Sequence, residues 1–219
     1  MATPYLQLRE EEVPSTQDRA RAELDRLPVV VVAQRQTTGR GRSGAVWMTA
    51  PRALAVSVAF RPLDDDRRPF PLMAGVAVAR CVDGVTLKWP NDVMFGELKV
   101  GGILVERSAE LVVGLGLNLW WPDPPQEIGA VRDEDPGPEL HAELAGLWAA
   151  ELMALEEAPG WPANEYRANC ATLGREISWE PAGRGRAVDI AEGGELVVET
   201  DGARSIIASG AIRHLRDAP

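Results

Sequence analysis

The sequence of 219 residues has little of several things that usually announce a function. Its two cysteines, Cys81 and Cys170, lie far apart and in no CxxC spacing. That excludes a zinc knuckle or a redox dithiol, and free thiols of a cytoplasmic protein are the simplest account. Its two histidines, His141 and His214, belong to no metal cluster or catalytic triad and read as surface or helix-end residues. Ser43 has no histidine near it, which argues against a serine nucleophile. No uninterrupted apolar run approaches the roughly 18 residues of a membrane helix, and residues 1–12 are acidic and polar, unlike a signal peptide. Basic charge is also scarce: 23 Lys and Arg against 33 Asp and Glu give a net charge of -10 and a pI near 4.8. A general nucleic-acid binder needs the opposite field.

What remains is an ordinary globular composition, 45% hydrophobic and 26% charged. It suits one medium domain with a large core, or one domain with a small appendage. Acid gathers in Glu10 to Glu12, Asp64 to Asp66 and Asp123 to Glu139. Residues 35–47 run the other way, with Arg35, Arg40 and Arg42 and no acid. Gly39, Gly41 and Gly44 alternate with two of these arginines. Glycine permits positive φ and close approach to a ligand, and each guanidinium offers a fixed fork of donors to anionic oxygens. A local positive site on an acidic chain suggests a small anionic ligand.

The elements around this stretch are legible. Residues 1–14 read as an extended lead-in, and Ser15 as the N-cap of a helix with Asp18 three residues on and Ala20, Leu24 and Leu27 on its apolar face. Pro28 ends that helix. Val29 to Val32 read as a buried strand, Ala53 to Phe60 as a second, and Phe70 to Val82 as a helix. Arg61 to Pro69 is a charged connection. Val85 to Lys88 is a short strand, Trp89 to Asp92 a turn, and Val93 to Phe95 with Leu98 to Glu106 a hairpin carrying Lys99. Leu111 to Leu119 is a further strand. Trp120 to Pro138 lacks periodicity, as lids and long loops do. His141 to Glu156 is a helix with Leu144, Leu147, Trp148, Leu152 and Leu155 as its stripe, and Trp161 to Ala168 a last one. Beyond Cys170 come short strands, Ile177 to Trp179, Ala187 to Ile190, Glu195 to Glu199 and Arg204 to Ile207, separated partly by Gly193-Gly194 and Asp201-Gly202 turns. They predict a small antiparallel barrel or sheet that docks on the first domain.

The glycine stretch is neither a P-loop, since no Gly-Lys-Ser/Thr follows, nor a dinucleotide fingerprint, since it leads into a strand. Glycines at 39–44, 101–102 and 114–116 instead suggest one cleft, with Gln36, Arg40, Arg42, Asn91, Asp92, Lys99 and Asn118 at its ends. Oriented cations in a dry cleft point to nucleotidyl or acyl-phosphate chemistry.

Five ordered motifs take the reading further. Ser15-Thr16, Gln36 to Trp47, Lys88-Trp89-Pro90-Asn91-Asp92, Lys99 to Glu106 and Gly114 to Asn118 resemble the motifs of biotin–protein ligases, over roughly residues 13–216. The C-terminal Leu173 to Arg175 and Ser209-Gly210 fit that family's small SH3-like barrel. The resemblance implies an α+β fold: a class II aminoacyl-tRNA synthetase-like mixed sheet flanked by helices over residues 1–170, and the small barrel over 171–219. It implies biotinyl-5'-AMP formation from biotin and ATP with Mg²⁺, then transfer to a lysine of a biotin carboxyl carrier domain of acetyl-CoA or a related acyl-CoA carboxylase. By the same likeness, Ser15, Thr16 and Gln36 hold the ureido end of biotin, and Gly39, Arg40, Arg42, Gly101 and Gly102 line the carboxyl and phosphate region. Lys99 is the main catalytic cation, beside Arg40, Arg42 and Asp92. Trp47, Asn91, Asn118 and Trp120 serve the nucleotide side, with Trp121 beside Trp120 over the nucleotide, and Asp92 is the candidate Mg²⁺ ligand.

Departures stand at Gln17, where asparagine is usual, and at Thr37, Thr38, Ser43, Ala45 and Val46. The 120–138 segment is unusually rich in proline and acid. With few residues before Ser15, a ligase without a DNA-binding domain or repressor activity is expected, cytoplasmic, binding neither nucleic acid nor membrane, and a monomer or weak homodimer. A lipoate–protein ligase or octanoyltransferase is the nearest rival, but its acyl chain needs no ureido-binding end. Intact Lys99 argues against a non-catalytic sensor.

Overall fold

A computed structural model describes residues 4–62, 67–181, 183–208, 210 and 212–215. The acidic run at 64–66 and Ser209 lie outside the described residues, as does part of the N-terminal lead-in. The larger of two sheets has seven strands: β1 (Leu6–Val13), β2 (Val29–Gln36), β3 (Arg52–Phe60), β4 (Val85–Lys88), β5 (Asp92–Phe95), β6 (Leu98–Arg107) and β7 (Leu111–Trp120). Their order is β1-β2-β3-β7-β6-β5-β4, antiparallel throughout except for the parallel β1–β2 pair. The mixed sheet agrees with expectation; β1 replaces what the sequence suggested was only a lead-in.

The four-valine run is explained by coverage of both faces of β2. Val30 and Val32 point into the main core with Val56 and Val58, beneath α2 (Phe70–Cys81) and α3 (Leu140–Glu157). Val29 and Val31 point the other way, with Ala59 and Val112, against Ala20 of α1 (Thr16–Glu23). Because side chains alternate across a strand, a run buried on both sides loses the polar-apolar alternation of a half-exposed one. α1 stops at Glu23, earlier than Pro28, so Leu24 packs at its end while Leu27 stays exposed. On α3, Leu147 is likewise exposed and not part of the buried stripe.

α4 (Ala163–Asn169) leads to a second sheet of β8 (Glu176–Trp179), β9 (Gly183–Ile190), β10 (Leu196–Thr200), β11 (Ala203–Ile207) and β12 (Ile212–His214). Its order, β11-β10-β9-β8-β12, leaves the two end strands unjoined, so among the described residues it is an open sheet and not the closed barrel expected. It does dock as expected: Ile177, Ala187, Ile190, Leu196, Val198, Ile207 and Ile212 belong to the same core as α2 and α3. No helix among the described residues is long and apolar enough to cross a membrane.

The small sheet grips the Lys88 to Asp92 segment directly. Trp89 is buried and donates its indole N–H to the Gly194 carbonyl (2.9 Å) and its backbone N–H to Thr172 Oγ1 (3.0 Å). His214 Nε2 lies 3.1 Å from the same hydroxyl. His214 is therefore half-buried, not the surface residue its isolation in sequence suggested. Burial, followed by the nearby Lys88 and Arg175 charges, pushes its pKa down from 6.5 to about 4. A histidine held neutral in the fold binds protons better when unfolded, so its contribution is intact above about pH 6.5 and is lost as pH falls toward 4. The denaturant midpoint of the wild type should therefore fall more between pH 7 and pH 5 than that of His214→Gln; equal falls would show that His214 carries no such linkage.

Candidate active site

The site lies on the α1 face of the large sheet. Across β6, β7 and β3 the register aligns Leu104 with Gly114 and Ser57, and Gly102 with Gly116 and Ala55. Three of these positions are glycine, which strips side chains from a patch of sheet and leaves a hollow. A Cβ at Gly116 would lie 2.7 Å from Trp47 Cε2, and one at Gly102 would lie 3.1 Å from Trp47 Cζ3. The Trp47 ring thus rests directly on glycine backbone. Gly101 points to the opposite face, where a Cβ would meet the Gly116 carbonyl at 2.9 Å and Val93 at 3.1 Å. It serves packing and does not line the cavity.

The arginine stretch forms a small hairpin over this floor. Trp47 N–H donates to the Gly39 carbonyl (3.0 Å) and Gly41 N–H to the Ala45 carbonyl (2.7 Å). Ser43 (φ 54°) and Gly44 (φ 75°) make its tip. Positive φ is therefore confined to the tip; Gly39 and Gly41 do not use it. Thr37 and Thr38 fix the hairpin's root by donating to the Val13 and Pro14 carbonyls (3.0 and 2.9 Å).

Floor, hairpin and α1 enclose a cavity of about 420 Å³ with two unlike ends. One end is lined by Ser15, Thr16, Gln17, Gln36 and Ser57. The Ser57 hydroxyl donates to Thr16 Oγ1 (2.8 Å), which donates to Gln36 Oε1 (3.0 Å), and Thr16 N–H reaches the same oxygen (2.9 Å). These bonds fix the Gln36 carboxamide with its amino group left to donate. Ser15 caps α1, accepting from Asp18 N–H at 3.5 Å. The buried Gln17 donates to the Leu104 and Val112 carbonyls (3.3 and 3.5 Å), while its Oε1 has no partner. That oxygen sits over Gly114, where a Cβ would approach it to 2.8 Å.

The other end holds Arg42, Lys88, Asn91, Asp92 and Lys99. Asn91 is locked to β6: its amide donates to the Ile103 carbonyl (3.0 Å), and Ile103 N–H donates back (2.9 Å). Its carboxamide oxygen then accepts from Arg42 Nη1 (3.1 Å). Lys99 Nζ pairs with Asp92 at 2.6 Å. The Lys99 backbone is tied to residues 127–129 by two further bonds (3.0 and 2.9 Å), so the long loop is anchored at the cationic end.

Not every predicted residue converges here. Arg40 lines the cavity, yet its guanidinium is engaged by Asp18 and Glu106. Gly39, Gly101, Asn118 and Trp120 are not among the lining residues. Asn118 is buried and donates to the Gly129 carbonyl (3.0 Å), which makes it a brace for the long loop in this structure. Trp121 borders a separate hollow with Arg52 and His141. Gly114 and Gly116, expected at the cleft, form its floor, and Gln17 lines it. Ser57 lines it too and was not expected; its one signal was a lone hydroxyl in an apolar strand.

A mycobacterial relative, the biotin–[acetyl-CoA-carboxylase] ligase of Mycobacterium tuberculosis, is 33% identical over 90% of this chain and 83% of its own. The chain belongs to the biotin/lipoate A/B protein ligase family. That family matches residues 11–118, which carry the hairpin, the cavity floor and both of its ends. The biotin–[acetyl-CoA-carboxylase] ligase of Paracoccus denitrificans is 28% identical over 83% of this chain and 88% of its own. The Aquifex aeolicus biotin protein ligase solved in complex with biotin and ATP superposes with a TM-score of 0.82, at 28% identity, over 96% of this chain and 99% of that one. The Gln17 amide in this chain has room because the position beneath it is Gly114.

Proposed function

We infer that the chain is an ATP-dependent biotin–protein ligase. The observation that carries this is the polarity of one cavity: a hydroxyl and carboxamide chain at one end, Arg42 and Lys99 at the other, and Trp47 on bare glycine between them. Such a cavity suits a ligand with a hydrogen-bonding ring, an apolar stem and a carboxylate. Ser15, Thr16 and Gln36 hold the ring, where buried polar groups without a matching ligand would be costly.

In the first step a biotin carboxylate oxygen attacks the α-phosphorus of ATP. A P–O bond forms as the bond to the β-phosphate oxygen breaks, and pyrophosphate leaves. The nucleophile is already ionised, so the residues' task is alignment and neutralisation of charge. Lys99 and Arg42 supply the positive charge; Asn91 orients Arg42 and Asp92 orients Lys99. In the second step the neutral amine of an acceptor lysine attacks the mixed anhydride, the C–O bond breaks, AMP leaves, and the amine's proton passes to solvent. The donor set fits a magnesium ion brought in on ATP phosphates: such ions take one or two carboxylates plus phosphate oxygens, and Asp92 presents a carboxylate at the cationic end of the cavity. Asp92 would hold it, and the ion would supply further neutralisation of phosphate charge. Trp47, Asn118 and Trp120 serve the nucleotide side, Asn118 and Trp120 through the loop they anchor.

The same reading takes residues 1–170 as a catalytic unit related to class II aminoacyl-tRNA synthetases and 171–219 as a small unit of SH3-like descent. It takes the acceptor to be a biotin carboxyl carrier domain of acetyl-CoA or a related acyl-CoA carboxylase. The setting is the cytoplasm and the protein is a monomer or weak dimer. With biotin, MgATP and an apo carrier domain, intact-mass spectrometry should show one biotinyl group on one carrier lysine, and none with lipoate or octanoate. Transfer of lipoate in preference to biotin would overturn this reading of the polar end.

A further inference from the structure

Arg40 takes part in a closed ring of charges. Its Nη1 and Nη2 meet the two Asp18 oxygens at 2.7 and 2.8 Å, and Nη2 lies 3.5 Å from Glu106 Oε1. Arg21 closes the ring, 2.7 Å from Glu106 Oε2 and 3.6 Å from Asp18 Oδ1. Both partners of the tightest pair respond: the Asp18 carboxyl is held below its ordinary range by Arg40, and Arg40 is raised by Asp18. Each corner comes from an element that builds the cavity. Arg40 belongs to the hairpin that carries Arg42 and Trp47. Asp18 and Arg21 lie one turn apart on α1, whose first residues supply the polar end. Glu106 lies on β6, the strand that carries Lys99.

With both terminal nitrogens committed to carboxylates, the Arg40 side chain is poorly placed to take a ligand carboxylate as well. We propose that Asp18, Arg21 and Glu106 are positioning residues that clamp Arg40, fixing the hairpin to α1 and β6 and so setting the distance between the polar and cationic ends of the biotin cavity. This rests on the ligase reading above and reassigns the Arg40 side chain from charge neutralisation to scaffolding, leaving Arg42 and Lys99 as the cations that meet the ligand. The pairs are half-exposed, where each contributes little to stability, and the ring's reach across the cavity's three walls puts its effect on ligand fit. Its four members act as a unit, so losses from two of them should not add.

The test measures biotin-dependent pyrophosphate release and thermal melting for the wild type, Asp18→Asn, Asp18→Glu, Glu106→Gln and the D18N/E106Q double variant. Asp18→Asn should raise the KM for biotin about tenfold while kcat stays within about twofold, the pattern of lost ground-state fit. Asp18→Glu should restore most of the loss, and the double variant should be little worse than Asp18→Asn. Glu106→Gln, away from the helix cap, should show the same KM pattern more weakly and stands in if Asp18→Asn does not fold. An unchanged KM in a folded variant, or a fall in kcat instead, would overturn the proposal and return Arg40 to the reacting groups. Equal damage from Asn and Glu at position 18 would also overturn it. No biotin-dependent release by the wild type would instead overturn the ligase reading, and this inference with it.

Discussion

Replacing Lys99 with methionine is expected to slow biotin-dependent pyrophosphate release by roughly two to three orders of magnitude, the usual cost of removing one group aimed at developing charge. Thermal stability should hardly move. The reasons for the split are local. The Lys99 backbone is held by pairing with Met94 on β5 and by bonds to Glu127 and Gly129, none of which uses the side chain. The side chain itself is about one-third exposed, and methionine keeps an apolar stem of similar length, so little apolar burial is lost. What is lost is the partner of Asp92, 2.6 Å away. Its carboxylate would then stand without that cation beside the place proposed for biotin's carboxylate. Two effects therefore add: a missing cation and a newly repelling anion. Adding Asp92→Asn to Lys99→Met should recover biotin binding but not turnover, measured by calorimetry without ATP alongside the rate. Matching losses of rate and melting temperature in Lys99→Met would make Lys99 a structural residue.

The second large effect is expected at Gly116. A Cβ there would sit 2.7, 2.9 and 3.0 Å from Trp47 ring atoms, and real Cβ atoms essentially never come closer than 3.0 Å, so overlap in this packed site forces atoms to shift. The ring cannot swing away cheaply, since the Trp47 backbone closes the hairpin on Gly39. Gly116→Val should therefore lift the hairpin from its floor and weaken biotin binding by about a hundredfold, near 2.7 kcal/mol. Gly101→Ala provides the contrast. Its Cβ would press on the Gly116 carbonyl and Val93 inside the sheet, so it should cost folding stability, of order 1–3 kcal/mol, more than affinity. Titration calorimetry and thermal melts of the two variants separate the effects; the same profile for both would mean that the two glycine faces do not differ in role.

The pattern of what was legible in the sequence follows from what each signal reports. Val29 to Val32 and Ala53 to Phe60 announced central strands because burial on both faces leaves an apolar run. β1 was missed because an edge strand touches one neighbour only: in Leu6–Val13 just Val13 is buried, so Arg9 and Glu10 to Glu12 hide the periodicity. β12 is three residues long, too short for a period to show. At the site, motif and cleft agreed wherever a polar residue faced the hollow, as at Thr16, Gln36, Asn91 and Lys99. They parted wherever orientation decides. Gly101 and Gly102 are adjacent letters on opposite faces of β6, and only the register with Leu117 and Gly116 tells them apart. Arg40 and Arg42 look alike in sequence, yet one meets carboxylates from α1 and β6 and the other a carboxamide. Those partners come from strands and helices far along the chain, which no local pattern encodes.

By this mechanism the cavity activates biotin before any acceptor arrives. The most direct measurement is pyrophosphate release from labelled ATP with Mg²⁺, with and without biotin and with no acceptor protein present. Release should depend on biotin and stop after about one equivalent, when biotinyl-5'-AMP stays bound. Release independent of biotin, or none across a range of biotin and salt concentrations, would contradict it.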